Sequence, residues 1–358
     1  MRKAILYTVL LFEIVLMNGC KRSCYLHEEK ECNYVNQMRD TLDTELLDYR
    51  PLGATGMLTF NNYIFFITDD PSGQLRVYDI EKEKEIASLC LPGRSINDFI
   101  SPRLVPDQIY MRNGEIILPL IDNFTILKEV NVTQSLKQNS TVVESHIPCV
   151  NPKDGYFALI DNSLKKTFVY NRPVMENGGC TTPVCKIEEE GETTIIPVFD
   201  QLIDGEDNLT SFAQYMGAIK KHPQKNLIVQ ALQYMNYILF YDLDNNNYFA
   251  IHQKGTRSFD DRVVSGVNYN PQTIYFGDVA VADDFFFATY WANCRNNPDT
   301  DIKSEVLKFD WNGNYLGGFV LTTLIHRFSY NEKNKTLYGL DLEDDKVYKI
   351  CFKDELLK

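Results

Sequence analysis

Val306-Leu307-Lys308-Phe309-Asp310-Trp311-Asn312-Gly313-Asn314 reads as a strand that closes on aromatic-Asp-apolar and passes into a polar turn. The same unit stands at Tyr78-Asp79-Ile80 before Glu81-Lys82-Glu83-Lys84, and at Tyr241-Asp242-Leu243 before Asp244-Asn245-Asn246-Asn247. An Asp in that place caps the turn with its side chain, as Asp and Asn do at strand ends. A second apolar run precedes each unit: Tyr63–Thr68, Leu227–Leu232 and Phe285–Tyr290. Recurrence of one supersecondary unit along a chain is the mark of a repeat architecture.

Working outward from these anchors, apolar runs rich in Ile, Val, Phe and Tyr alternate with Asn, Asp and Gly clusters, and no convincing amphipathic helix interrupts them. That pattern belongs to all-β barrels, sandwiches and propellers. Six units follow. The first runs from about Gly53 to Leu91, the second from Gln108 to Ile147. The third runs from near Gly155 to Phe199, with an insertion around Cys180–Cys185 between its last two strands. The fourth runs from Gln214 to Gln253, the fifth from Ile274 to Leu321 and the sixth from His326 to Phe352. The sixth has three clear strands, so a strand at about Glu45–Leu52 is expected to complete it and close the ring, leaving few exposed edges. The expected fold class is all-β: a six-bladed β-propeller of four-stranded antiparallel blades over residues 45–358, closed by an N-terminal strand.

Gly93-Arg94-Ser95-Ile96-Asn97-Asp98-Phe99, the 306–314 stretch and Phe328-Ser329-Tyr330-Asn331 with Lys335-Thr336-Leu337-Tyr338-Gly339-Leu340 resemble the TolB-like six-bladed propellers found as lipoproteins in Bacteroidetes. The first motif departs from that family's Gly-Arg-Gly-Pro-x-Glu-Phe at Ser95, Ile96 and Asp98. The resemblance spans essentially the whole chain after its leader. It implies a fold and no catalytic motif.

The leader supports export. Arg2 and Lys3 precede the apolar run Ala4–Met17, which is shorter than the roughly 20 residues that cross a bilayer. Met17-Asn18-Gly19-Cys20 resembles a lipobox, so residues 1–19 are expected to be a lipoprotein signal peptide and Cys20 the lipidated residue. An ordinary signal peptide with Cys20 incidental is the simpler alternative. Residues 20–44, polar and without periodicity, read as a tether whose removal up to Thr44 would leave stability nearly unchanged. The expected location is the cell envelope, lipid-anchored, at the outer membrane.

A net charge of −13 repels phosphate backbones, so no nucleic-acid partner is expected. Of nine Cys, Cys180 and Cys185 are the pair expected to form a disulfide, with Cys24 and Cys32 a possible second pair. Cys90 and Cys351 sit in apolar runs and read as buried thiols. No Cys or His spacing matches a zinc site. Neither a P-loop, a nucleophile elbow nor an HExxH motif occurs. Adjacent acids at Asp69-Asp70, Asp260-Asp261, Asp283-Asp284 and Asp344-Asp345 read as solvated turn residues.

These features favour a non-enzymatic binding or scaffold module without cofactor, its partner an unidentified protein or small molecule. The long loops, 92–107, 200–213, 254–273 and 292–303, share one face, and loops on a rigid scaffold commonly carry function. Arg94, Arg103, Arg257, Arg262, Trp291 and Arg295 are the expected binding residues, since Arg and Trp dominate interface energetics. Trp291 packed between blades and solvated arginines are the bland alternative. The rival function is an envelope hydrolase or lactonase with an axial metal, which would require several of Asp204, Glu206, Asp207 and Asp278 to converge. A carbohydrate binder is a third possibility, with only two Trp in the chain to support it.

Overall fold

A computed structural model describes residues 29–35, 37, 39–105, 108–148, 217–245, 247–255, 273–294 and 304–352. Between residues 156 and 196 it describes the backbone of six short strands.

Five blades are placed against one another. Each is an antiparallel meander running from an inner strand outward. Blade I comprises Ala54–Phe60, Tyr63–Thr68, Leu75–Asp79 and Lys84–Leu89. In blade II the inner strand is split into Pro102–Leu104 and Tyr110–Arg112, both paired to Glu115–Asp122, with Ile126–Asn131 and Val143–Pro148 outside. Blade III holds Gly217–Lys221, Leu227–Leu232, Tyr237–Asp242 and Asn247–Gln253. Blade IV holds Thr273–Val281, Phe285–Cys294, Glu305–Asp310 and Tyr315–Leu321, and blade V Arg327–Asn331, Thr336–Asp341 and Lys346–Cys351. Inner strands pack in the order III, IV, V, I, II.

The repeated Asp does what its position predicts. Asp79 Oδ1 accepts from the backbone N–H of Glu81 and Lys82, at 3.1 and 3.0 Å. Asp242 Oδ1 does so from Asp244 and Asn245, and Asp310 Oδ1 from Asn312 and Asn314. The turn is therefore closed by a side chain before the outer strand begins.

Apolar residues of these strands meet between blades, so the core is a set of layers. Ile238, Phe240, Phe276, Phe286 and Phe309 fill the space between III and IV. Phe287, Phe319, Phe328 and Leu337 fill that between IV and V. Met57, Phe66, Tyr338 and Val347 lie between V and I, and Leu58, Phe65, Phe99, Leu118 and Leu120 between I and II. Cys90 is a free thiol buried in the last layer, as expected, and burial pushes its pKa far up.

Several expectations need correction. Six packed blades are expected, and five are shown. The stretch between blades II and III forms a four-stranded sheet of its own: Tyr156–Ile160, Lys166–Tyr170, Cys185–Glu189 and Glu192–Ile196. The insertion is a hairpin, Val174–Glu176 with Gly179–Thr181, and it separates the second and third strands of that sheet rather than its last two.

Residues 29–42 are no tether. Glu29–Cys32 lies parallel on the outer strand of blade III, pairing Glu29 with Ala250. Asp40–Leu42 lies parallel on that of blade IV, pairing Asp40 with Phe319. Between them Tyr34 is fully buried, edge-on to Tyr290 and Phe309. Its hydroxyl donates to Asn236 Oδ1 at 2.7 Å. Arg39 bonds both Glu305 and the Tyr34 carbonyl. Charged residues hide such strands in a sequence, because an edge strand is held through its backbone and needs no apolar alternation.

The chain then supplies the fourth strand of blade V, as expected, although it is only Glu45–Leu46, paired to Lys349 and Tyr348. A bond from Leu47 N to the Val347 carbonyl extends it. Blade II also carries an unexpected helix, Val132–Gln138. Asn131 caps it by accepting from Gln134 N at 2.9 Å, and Asn139 ends it at φ 50°.

Candidate functional site

Inner strands of all five blades face a common axis, with one cavity at each end. The upper cavity, about 450 Å³, lies where these strands begin. Its wall takes Thr55–Met57 from blade I, Ser101–Leu104 from II, Ala218–Lys220 from III, Asp278 from IV and Arg327 from V.

Three cations, Arg103, Lys220 and Arg327, share this wall with two carboxylates, Asp69 and Asp278. Asp278 is 5% exposed. Its Oδ2 accepts from Phe328 N at 3.1 Å, and Lys220 Nζ stands 3.8 Å from its Oδ1. That ion pair sits at the outer limit of contact. The Arg103 guanidinium lies 4.1 Å over the Phe124 ring, which fixes its plane beside the cavity. Arg327 donates to the His326 carbonyl at 3.0 Å. Among the described residues this wall carries more cations than carboxylates, on a protein of net charge −13.

Of the residues expected from sequence to bind, Arg103 is in this wall, on an inner strand rather than in the long loop assigned to it. Arg94 is exposed in the same connection, where Asp98 Oδ2 accepts from Ser95 N at 3.0 Å. Leu91, Ile96 and Ile100 are exposed around it. Trp291 is half-buried and edge-on to His326, at 6.0 Å. It packs on Gly277, where a Cβ would come within 2.7 Å of the indole, so the position beside Asp278 admits only glycine without rearrangement. The indole Nε1–H is buried without a partner. Arg257, Arg262, Arg295, Cys20, Asp204, Glu206, Asp207 and the Asp260-Asp261 pair lie outside the described residues. The side chains of Cys180, Cys185 and Cys351 do too. Cys32 is free among the described cysteines.

Of the four acids, several of which would have to converge for a metal site, Asp278 alone is described, and Lys220 stands beside it. Among the described residues, no group of three or more His, Cys, Asp or Glu could hold a metal ion. Asp70 and Asp344 serve turns, as their sequence context suggests. Asp70 accepts from Ser72, and Lys346 pairs with Asp344; each partner lowers the carboxyl pKa.

A lower cavity of about 600 Å³ lies at the other end of the axis. Asn61 of blade I, Gln108 and Tyr110 of II, Lys221–Gln224 of III, Asp283 of IV and Tyr330, Glu332 and Lys333 of V line it. His222 is 1% exposed there, with Trp311 4.6 Å away. Its Nδ1 accepts from the backbone N–H of Gln224 and Lys225, at 2.9 and 3.2 Å. The ring proton therefore sits on Nε2. Burial, with Lys225 and Lys221 nearby, pushes the His222 pKa down to about 4. Burial and the neighbouring Glu332 and Asp284 raise that of Asp283.

Lys220, Arg327 and His222 were invisible as site residues in the sequence. The usable signal is that polar residues of each unit's first strand must face the axis.

The fold is that of an all-β propeller with cavities along its axis. No family model matches the chain, and no curated protein matches it either. Among solved structures it is similar to a member of the DUF4221 family from Bacteroides vulgatus. The two share 12% identity at a TM-score of 0.55, over 93% of this chain and 99% of that one. It is also similar to a "Putative exported protein" from Bacteroides fragilis, at 10% identity and a TM-score of 0.51, over 91% and 99%. At these identities the likeness is one of fold.

Proposed function

We propose that this chain is an exported envelope protein, lipid-anchored through Cys20 at the outer membrane, whose propeller binds an anionic ligand or an acidic protein segment at the upper mouth. The sheet from Tyr156 to Ile196 serves as a further blade between II and III, giving the six-bladed ring of the TolB-like type. The observation that carries the binding reading is the axial wall in which Arg103, Lys220 and Arg327 outnumber Asp69 and Asp278. Arg103 and Arg327 come from separate blades, and among the described residues no carboxylate pairs with either. A net charge of −13 makes that local excess stand out to an anion. The lack of a recognisable catalytic motif in the sequence fits a module that captures rather than converts.

The test is calorimetric titration with citrate and with an acidic hexapeptide. Arg103→Glu with Arg327→Glu should weaken binding of whichever probe binds at least tenfold, with a larger effect at low salt, where surface charge is least screened. Neither probe binding the wild type, or unchanged affinity in the double variant, would remove the reading. The anchor has its own check. Cys20→Ala should abolish lipid labelling and move the protein to the soluble envelope fraction; a labelled, membrane-bound variant would refute it.

A further inference from the structure

We propose that the lower cavity binds an uncharged, hydroxyl-rich ligand of saccharide size, held between the His222 Nε2–H donor and the carboxylates of Asp283 and Glu332. The site is separate from the upper mouth and does not depend on the function assigned to it.

The first observation is the buried donor. His222 Nδ1 is committed to two backbone N–H groups, so Nε2 carries the proton, yet Nε2 has no hydrogen-bond partner. The Asp283 backbone stands near enough to the ring to oppose the lowering of its pKa by hydrogen bonding, but no acceptor meets Nε2 in full hydrogen-bond geometry. A donor buried without an acceptor is unfavourable, and in native structures such a group calls for an explanation. It is also held rigidly, by the Gln224 and Lys225 amides on one edge and by Trp311 on the ring face. The residue that carries it is in the wall of a cavity of about 600 Å³, within the range of small-ligand sites.

The second observation is what stands in the same wall. Asp283 N donates to Glu332 Oε1 at 3.1 Å, which draws the acids of blades IV and V together at the rim. The cations beside them already have partners. Lys333 bonds Asn62 and Glu81, Lys335 pairs with Glu332, and Lys221 Nζ donates to the His222 carbonyl. Tyr110 and Tyr330 supply flat apolar surface with a polar edge, as binding sites for amphipathic ligands do.

The ligand class follows from donors and acceptors. An anion would satisfy Nε2–H and meet two carboxylates of its own sign. A cation would satisfy the carboxylates and leave Nε2–H without an acceptor. A hydroxyl both donates and accepts, so a polyol meets the two requirements together.

The experiment uses protein labelled with ¹⁵N-histidine, the His222 signals being assigned with His222→Gln. Neutral mono- to tetrasaccharides, spermidine and citrate are titrated in turn. A neutral saccharide is expected to shift the Nε2 resonance and slow exchange of its proton. Glu332→Gln, at the rim, should weaken that saccharide about tenfold. Arg103→Glu should leave the response intact. A response to spermidine or citrate alone, silence across the whole panel, or loss of the saccharide response in Arg103→Glu would each overturn the proposal.

Discussion

Tyr34→Ala should destabilise the folded protein by about 4 kcal/mol, the cost of emptying a large aromatic site in a core that cannot fully collapse. Four rings surround Tyr34: Phe276, Tyr290, Phe309 and Tyr315, with centroids 5.6 to 6.4 Å away. The substitution empties the layer between blades III and IV and leaves Asn236 Oδ1 without its donor. Tyr34→Phe isolates the second loss and should cost about 1 kcal/mol, that of one buried hydrogen bond. Urea unfolding of the two variants gives both numbers. Equal midpoints for wild type and Tyr34→Ala would show that residues 29–42 are not docked in solution. Truncation before Glu45 should behave like Tyr34→Ala and also expose the outer edges of blades III and IV, which invites aggregation.

The second large effect is one of acidity. His222 has a folded-state pKa of about 4 against an ordinary value of 6.5. Between those values the unfolded chain binds a proton that the folded one refuses, so stability falls as pH drops through that window. The full shift corresponds to about 3 kcal/mol, at 1.36 kcal/mol for each unit. Protonation at Nδ1 would also sacrifice the bonds from Gln224 and Lys225. Asp283, with its pKa raised, acts in the opposite sense and gains stability as it takes up a proton. The informative quantity is therefore a difference. Between pH 6.5 and 4, stability plotted against pH should have a shallower slope in His222→Gln than in wild type. Parallel curves would mean that His222 titrates normally.

What could be read in advance followed the range of the interaction. Asp79, Asp242 and Asp310 cap turns two to four residues away, so their role is written locally and the unit they end is visible in the sequence. Glu29-Lys30-Glu31-Cys32 is a strand only because Ala250–Gln253 offers it a free edge. Nothing in its own composition says so. Tyr34 stands among polar residues and is buried by partners more than two hundred positions along the chain. The inner strand of blade II was hidden by Pro102, which opens it, inside a stretch that has the look of a loop. The same logic divides the upper mouth. Arg103 was noticed because it lies in a long connection between units. Lys220, Asp278 and Arg327 come from three separate first strands, and only the order in which blades pack brings them to one wall.

The N-terminal belt has a consequence for timing. Glu29 waits for Ala250, Asp40 for Phe319 and Leu46 for Tyr348, so each of these strands is synthesised more than two hundred positions before its partner. Pairings this remote in sequence are slow to form, because a very long loop must close before any contact rewards it. A ribosome-bound fragment ending anywhere before residue 250 has none of the first three described strands docked. Such a chain cannot complete its fold while it is still emerging, and it stays threadable until its final segment is free.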